Sequence, residues 1–299
     1  MGRRDDGTVP VPVPGLRADR HRHEGKNMTT RQAGQDLDTS KAHSARMYDY
    51  FLGGKDHFEI DKKAALVAAQ AHPGIYVTAR ENRAFMHRAT RVLAQEYGIR
   101  QWLDIGTGIP TEPNLHQIAQ SVARDARVVY ADNDPLVLKY AERLMRSTTQ
   151  GRTAYVQASV TDPDALMGAV EDAGVLDFDQ PIALSLNALM HFITDPHDPY
   201  AIVRRLLDPL PAGSALAMNH CTPDFDPVTW NKVAEVYTKS GSPVQFRSHS
   251  EVGRFFDGLD LVDPGICCCH RWRPAESGTG AAEITDAQIS LLAGVGIKR

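Results

Sequence analysis

One acid and two glycines, Asp104, Gly106 and Gly108, are spaced so that they could form a ligand-binding turn. The apolar residues before the glycines predict a β-strand, and a helical pattern that opens near Asn114 predicts a helix after them. Because glycine has no Cβ, the backbone of such a turn can approach a ligand closely, and the first turn of the helix presents free amide groups. The stretch therefore predicts a ligand-binding turn between a strand and a helix.

Two details of this turn favour a cationic ligand over a dinucleotide. A dinucleotide fingerprint would need a third glycine at Thr111, and its pyrophosphate would meet the like charge of Glu112. An acid two residues before the first glycine suits a positively charged ligand without phosphate, such as S-adenosylmethionine. The stretch resembles the first motif of class I methyltransferases, D/E-x-G-x-G-x-G, with Pro110 in place of the third glycine. The turn residues predicted to bind this cofactor are Asp104, Gly106, Thr107 and Gly108.

Strand and helix patterns then alternate along the chain at a spacing of roughly thirty residues, the length of a βα crossover unit. Further strands are predicted at 127–131, 154–158, 182–186 and 215–219. Right-handed crossovers of this kind build a parallel sheet with helices on both faces. The pattern predicts an α/β, doubly wound, Rossmann-like fold, in which ligands bind at the carboxyl ends of the strands.

Polar residues follow the predicted strands at that edge. Asp134-Pro135 is typical of a helix start, with Asp as the N-cap, so Asp132 is left free to accept both ribose hydroxyls of an adenosine. A plain surface acid is the alternative for Asp132. The residues predicted to contact the cofactor at the strand ends are Asp132, Asn133, Ser159, Val160 and Asn187.

His191, after the fourth predicted strand, is the candidate general base. Methyl transfer from a sulfonium is an in-line displacement that requires alignment and no covalent enzyme nucleophile. A base would help if the acceptor is a hydroxyl or an amine. The alternative is a histidine packed beside Phe192, and His220, just past the fifth strand, is the second candidate.

The segment from Ser44 to Ile60 combines three aromatic residues with two adjacent glycines. A packed surface loop and a lid over the ligand turn both fit this composition. The lid, which we favour, would bring Tyr48 and Gly54 to the cofactor.

A capping box, Thr78-x-x-Glu81, predicts the start of the helix that leads into the first strand. Arg83, early in this helix, is the candidate partner for a ligand carboxylate.

Composition excludes several classes of protein. The 299 residues carry a formal net charge of −4 without a basic stripe, so no nucleic-acid partner is expected, and no run of about 18 apolar residues predicts a membrane span. Residues 1–41 lack the apolar core of a secretory signal, so a cytoplasmic protein is expected. The same residues are predicted to be disordered, and translation could also start at Met28. The adjacent cysteines 267–269 cannot converge on one metal and are predicted to be reduced structural thiols.

Several longer motifs occur in one order: Ala45–Asp56, Asn82–Phe85, Leu103–Thr111, Tyr130–Pro135, Phe255–Leu259 and His270–Pro274. Together they resemble the actinobacterial S-adenosylmethionine-dependent methyltransferase family once catalogued as a domain of unknown function, DUF574. The resemblance covers the chain from about Ser44 onward. It implies the cofactor, the reaction class and a seven-stranded, mostly parallel sheet whose final strand is inserted antiparallel. Relatives tend to carry Asp at the position of Ser159.

The expected organisation is an N-terminal extension at 1–41, a helical cap or lid at 42–100 and a methyltransferase domain at 101–299. The expected function is in-line methyl transfer from S-adenosylmethionine to a small-molecule acceptor, without a metal or a membrane partner. A non-catalytic S-adenosylmethionine-binding module and an NAD(P)-dependent oxidoreductase are the alternatives. The residues themselves specify neither the acceptor nor the oligomeric state.

Overall fold

The chain folds around a mixed sheet whose central strands are apolar enough to be buried on both faces. A computed structural model describes residues 40–137, 140, 147–274 and 284–299. Every residue of the first strand is buried, as is all of the second except its first residue. The strands are β1 (Gln101–Ile105), β2 (Arg127–Asp132), β3 (Arg152–Gln157), β4 (Ala183–Leu186), β5 (Ala215–Cys221), β6 (Leu259–Leu261), β7 (Cys267–Cys268) and β8 (Leu291–Lys298).

The strand order β3-β2-β1-β4-β5-β8-β6 confirms the predicted seven-stranded sheet. Strands β1 to β5 pair in parallel, and β8 is inserted antiparallel between β5 and β6. The sequence analysis missed the two-residue strand β7, which pairs with β8 beside this path. Because the order reverses between β1 and β4, the crevice expected to bind ligand lies at the carboxyl ends of these two strands.

Three further helices begin at an aspartate followed by proline, the pair that marks the predicted helix start at Asp134-Pro135. The side chains of Asp162, Asp198 and Asp226, each followed by proline, accept a hydrogen bond from the backbone N–H three residues later. Residues 135–137 and 140 are also helical. The remaining helices are α1 (Ser44–Phe51), α2 (Glu59–Ala71), α3 (Ile75–Gln95), α4 (Leu115–Val122), α5 (Pro163–Asp172), α6 (Pro199–Leu207), α7 (Pro227–Lys239), α8 (His249–Gly253) and α9 (Asp286–Ile289).

The predicted capping box at Thr78 is wrong, because α3 begins three residues earlier, at Ile75. The Thr78 hydroxyl is buried inside the helix and donates to the carbonyl of Ile289 at 3.0 Å, with the Gly74 carbonyl 3.3 Å away. A tertiary contact, 211 residues away along the chain, thus overrides a local capping signal. Ile289 itself is the last residue of α9, and the last strand starts at Leu291.

The N-terminal helices share a hydrophobic core with one face of the sheet. Met47 and Phe85 belong to the same buried cluster as Trp102 and Tyr130, whereas Leu103 faces the cluster on the opposite side of the sheet. Residues 36–299 form one compact unit, so the predicted boundary at residue 100 stays a prediction. Residues 1–39, with the candidate start at Met28, lie outside the described part of the chain. Within that part, no helix is long and apolar enough to cross a membrane.

A buried ion pair fixes the first two helices to each other. The Nε atom of Arg46 donates to Oδ1 of Asp61 at 3.1 Å, and the two side chains are only 4% and 0% exposed. The Asp61 carboxylate also accepts the backbone N–H groups of His43 and Phe58, both at 2.8 Å. Removing the negative charge would therefore take this carboxylate partner away from a buried guanidinium.

We predict that Asp61→Asn lowers the free energy of unfolding by about 3–5 kcal/mol, the usual cost of breaking a buried pair. The matched control is Glu235→Gln, which breaks an exposed i,i+4 pair with Lys239 and should cost below about 0.5 kcal/mol. Urea denaturation of the two variants and the parent measures both values. Equal losses in the two variants would contradict the structural role given to Asp61.

Candidate functional site

The glycine turn after β1 is held closed by bonds to the neighbouring strand. Gly106 and Gly108 adopt φ angles of +70° and +64°, which favour glycine. The Gly106 N–H donates to the Ala131 carbonyl at 2.8 Å, and the Gly108 N–H donates to Oδ2 of Asp132 at 2.8 Å. A Cβ on Gly106 would lie 2.6 Å from a methyl carbon of Leu189. Any residue larger than glycine at this position would therefore displace the Leu189 side chain.

Asp104 is a buried acid with no cationic partner in the described part of the chain. The residue is 8% exposed, and its carboxylate accepts a hydrogen bond from the Ser185 hydroxyl at 2.6 Å. Burial raises the pKa of Asp104 to about 6, although hydrogen bonds from Ser185 and Thr107 act in the opposite direction. Within the described residues it forms no ion pair, so its charge can attract a cationic ligand.

Asp134 caps the next helix, as the sequence predicts, whereas the ribose contact of Asp132 stays a prediction. Asp134 accepts the Leu136 N–H at 2.9 Å and thereby caps the next helix. Asp132 accepts the N–H of Asp134 at 2.9 Å through Oδ1, besides its bond from Gly108 through Oδ2. Each carboxylate oxygen can accept a second bond, so two hydroxyl groups of a ligand could still be bound. Burial raises the pKa of Asp132 as well.

A chain of side-chain hydrogen bonds connects Asp104 to the N-terminal helices. From Ser185 it continues through bonds of 2.8 Å to Asn187, 3.0 Å to Asn219, 2.6 Å to Asn82 and 2.6 Å to Tyr48. The Tyr48 hydroxyl donates in turn to the Ala79 carbonyl at 3.0 Å, and burial raises the pKa of this tyrosine to about 12. Of the residues in this hydrogen-bonded series, the sequence patterns predicted Asp104, Asn187 and Tyr48 as binding residues. They predicted no binding role for Asn82 or Asn219.

One cavity of about 400 Å³ collects most of the predicted cofactor residues. Its lining includes Tyr48, Arg83, Asp104, Gly106, Thr107, Gly108, Asp132, Asn133, Ser159, Val160, Asn187 and His191. Gly54 is not among its described lining residues. A Cβ there would meet the Asp49 carboxylate at 1.9 Å, so Gly54 serves the packing of the turn after α1 and its predicted cofactor contact is not supported.

Arg83 lines this cavity, and its guanidinium also donates to the backbone that follows the glycine turn. The acceptors are the carbonyls of Thr111 and Pro113, the latter at 2.7 Å. Ser159, at the other end, shares a bond of 2.7 Å with the Thr161 hydroxyl. Both contacts place the side chains at the rim, and ligand contacts for Arg83 and Ser159 stay predictions.

His191 lies in a short 3₁₀ helix, Met190–Phe192, between the strand ends and a group of aromatic side chains. Burial, with His220 and Arg247 nearby, holds the pKa of His191 well below its usual value, so the ring is neutral at pH 7. Its Nδ1 atom is buried and has no hydrogen-bond partner among the described residues. The ring also packs 4.5 Å from Phe192, so the structure agrees with the packing alternative as well as with the base.

The second candidate base, His220, has a structural role instead. Its Nδ1 bonds to the Cys221 carbonyl at 2.7 Å, and its Nε2 accepts from Arg247 at 3.1 Å. Burial lowers the pKa of His220 to about 3. Arg247, which the sequence analysis missed, is 1% exposed and also donates to the carbonyl of Ile193, so it fixes the loop that carries His191.

The cysteines lie apart from this cavity, except Cys221, which lines it. All four are free thiols, as predicted. Within the described residues, ligand atoms of Cys268, His270 and Asp286 lie within 4.8 Å of one another. Asp286 already accepts from the Arg271 guanidinium at 2.7 Å, so its charge is partly neutralised. The absence of a metal stays a prediction.

Solved structures with similar chains support the fold. A DUF574 family protein from Streptomyces avermitilis is 48% identical, with a TM-score of 0.85 over 88% of this chain and 100% of that chain. A Thermobifida fusca protein proposed to be a methyltransferase is 34% identical, with a TM-score of 0.80 over 90% and 100%. The plantazolicin methyltransferase BamL, solved with a triazolic desmethylPZN analogue and S-adenosylhomocysteine, is 12% identical, with a TM-score of 0.51 over 85% and 95%. At that identity BamL shows the fold alone.

A search of curated proteins returned no match. A family profile described as S-adenosyl methyltransferase, by contrast, matches residues 30–299. This match confirms the resemblance seen in the sequence motifs and decides against the oxidoreductase and the non-catalytic module. The chain therefore belongs to the S-adenosyl methyltransferase family and is an S-adenosylmethionine-dependent methyltransferase.

Proposed function

We propose that the cavity at the strand ends holds S-adenosylmethionine beside a small-molecule acceptor. The observation that supports this best is that one cavity of about 400 Å³ is lined by the glycine turn and Asp104 and also by apolar side chains beyond His191. Cavities of this size are typical of small-molecule sites. The formal net charge of −4 does not favour a nucleic-acid acceptor, which usually requires a basic surface.

The polar side of the cavity fits the charges of the cofactor. The unpaired carboxylate of Asp104 suits the cationic methionine part, and Arg83 suits its carboxylate. Asp132 has lone pairs left for the ribose hydroxyls, and Ser159 and Val160 would lie beside the adenine. The other members of the proposed cofactor site are Tyr48, Gly106, Thr107, Gly108, Asn133 and Asn187.

Bound S-adenosylmethionine supplies a methyl group on a positively charged sulfur. The chain aligns the acceptor with that group and excludes water from the buried cavity. His191 is neutral at pH 7, because its pKa lies below the usual value, and it accepts the proton of the acceptor as the new bond forms.

We predict that affinity for S-adenosylmethionine falls as the pH is lowered through about 6, the pKa of Asp104. Above that pH the carboxylate is charged and attracts the cation, whereas below it the group is protonated. The dissociation constant should rise about tenfold between pH 7 and pH 5, since one proton competes with the ligand. Isothermal titration calorimetry at several pH values measures the change.

Asp104→Asn is the test variant for this pH dependence. It should bind more weakly at pH 8 and should lose most of the dependence, leaving the smaller contribution of Asp132. Asp164→Asn, on the exposed face of α5, is the matched control and should behave like the parent. A parent protein with constant affinity from pH 5 to pH 8 would refute the role of Asp104.

We predict that His191→Gln lowers turnover about 100-fold, within the range for loss of a general base, while affinity for S-adenosylmethionine changes less than about twofold. Turnover is measured as S-adenosylhomocysteine formed with an acceptor found by screening, and affinity by calorimetry. His197→Gln, an exposed histidine six residues further on, is the control. Equal losses of turnover and affinity in His191→Gln would mean that this ring is structural.

A further inference from the structure

The cavity continues beyond His191 into a pocket of aromatic side chains. We call this part the aromatic chamber, and its rings are Phe192, Trp230, Tyr237 and Phe246. Trp230 and Tyr237 lie on one face of α7 and are 2% and 9% exposed. Since all four rings line the same cavity as Asp104, the chamber is continuous with the proposed cofactor site.

The rings contact one another in geometries that leave aromatic surface to the cavity. Trp230 meets Phe246 edge to face, with centroids 4.9 Å apart and an interplanar angle of 87°. Phe192 meets Tyr237 at 5.8 Å and 61°. The His191 ring lies 4.5 Å from Phe192 and 6.3 Å from Phe246. His191 therefore stands at the boundary between the chamber and the strand ends.

The charged side chains that line the cavity lie near the carboxyl ends of the strands and not in the aromatic chamber. Asp104 is the next-to-last residue of β1 and Asp132 is the last residue of β2, and the Arg83 guanidinium is bonded to carbonyls beside the glycine turn. His43 faces Asp134 at 3.3 Å, next to β2. Among the described residues, those lining the chamber include no Asp, Glu, Lys or Arg. An ionic ligand would lose its water there without gaining a counter-ion.

We propose that the methyl acceptor is an uncharged aromatic compound that carries a hydroxyl group and packs its ring in the aromatic chamber. This inference rests on the proposed methyl transfer in the same cavity. Ring packing against several aromatic side chains contributes affinity beyond the area that is buried. A hydroxyl at the edge of such a ring would lie beside His191, at the boundary with the cofactor site.

Methyl transfer to such an acceptor requires only the cofactor, the acceptor hydroxyl and the ring of His191. The bond between sulfur and the methyl carbon breaks, and a bond between the acceptor oxygen and that carbon forms. The sulfur keeps the electron pair and becomes a neutral thioether, while the hydroxyl proton passes to the ring of His191. An aromatic hydroxyl, with a pKa of about 10 as in tyrosine, suits a weak base better than an aliphatic hydroxyl does.

Two probes of equal ring size test the acceptor class, namely neutral 2-naphthol and anionic 2-naphthoate. Calorimetry of the full chain first measures binding of S-adenosylhomocysteine, and then of each naphthalene probe at saturating S-adenosylhomocysteine. We expect 2-naphthol to bind at least tenfold more tightly than 2-naphthoate. In a separate reaction without S-adenosylhomocysteine, S-adenosylmethionine and 2-naphthol should yield 2-methoxynaphthalene, detected by mass spectrometry.

A substitution in the chamber lining should reverse this preference. Val244 is half-buried and lines the cavity, so Val244→Lys places a cation there and should favour 2-naphthoate. Val228→Lys, at a position that is 65% exposed on α7, should leave both affinities unchanged. Unchanged binding of S-adenosylhomocysteine shows that each variant is folded.

The outcomes separate the two proposals. If S-adenosylhomocysteine binds but 2-naphthoate binds as well as 2-naphthol, or neither probe binds, the acceptor class is wrong and the cofactor site stands. If Val244→Lys does not change the preference between the probes, the chamber is not where they bind, and the inference fails. If S-adenosylhomocysteine itself does not bind, the proposed function fails and the acceptor class fails with it.

Discussion

The burial of the Asp104 carboxylate is the constraint on which the site depends. Strand β1 lies between β2 and β4, so Asp104, its next-to-last residue, is enclosed on both sides, with Tyr130 and Ser185 as its neighbours in register. Burying an acid is costly unless it is hydrogen-bonded and paired, and here only the hydrogen bonds are present among the described residues. A cationic ligand would supply the missing partner, and the family's cofactor carries such a charge.

The same acid is tied to the N-terminal helices. Its hydrogen-bonded neighbours continue through Asn219 and Asn82 to Tyr48 on α1, and every bond in the series is 3.0 Å or shorter. Buried polar groups joined in this way stabilise one arrangement, because a shift of one member leaves the others unsatisfied. The hydrogen bonds therefore fix α1 and α3 relative to the carboxyl end of β1.

The site was predictable where its signals are local. Adjacent residues predict the glycine turn after Asp104 and the Asp-Pro pairs that begin helices. The structure places both as expected. The sequence gives no local sign of Asn219 or Arg247, because their roles come from contacts 27 to 137 residues away along the chain. The capping box predicted at Thr78 is wrong for the same reason, because the Thr78 hydroxyl donates to the distant carbonyl of Ile289.

We infer that the ends of β1 and β2 hold the cofactor, and a crystal structure of the protein with S-adenosylhomocysteine would locate the ligand. We expect the ligand in the cavity, with both ribose hydroxyls within about 3 Å of the Asp132 carboxylate. Its sulfur should point toward His191. A ligand bound outside the cavity, or with its ribose away from Asp132, would show that these strand ends do not hold the cofactor.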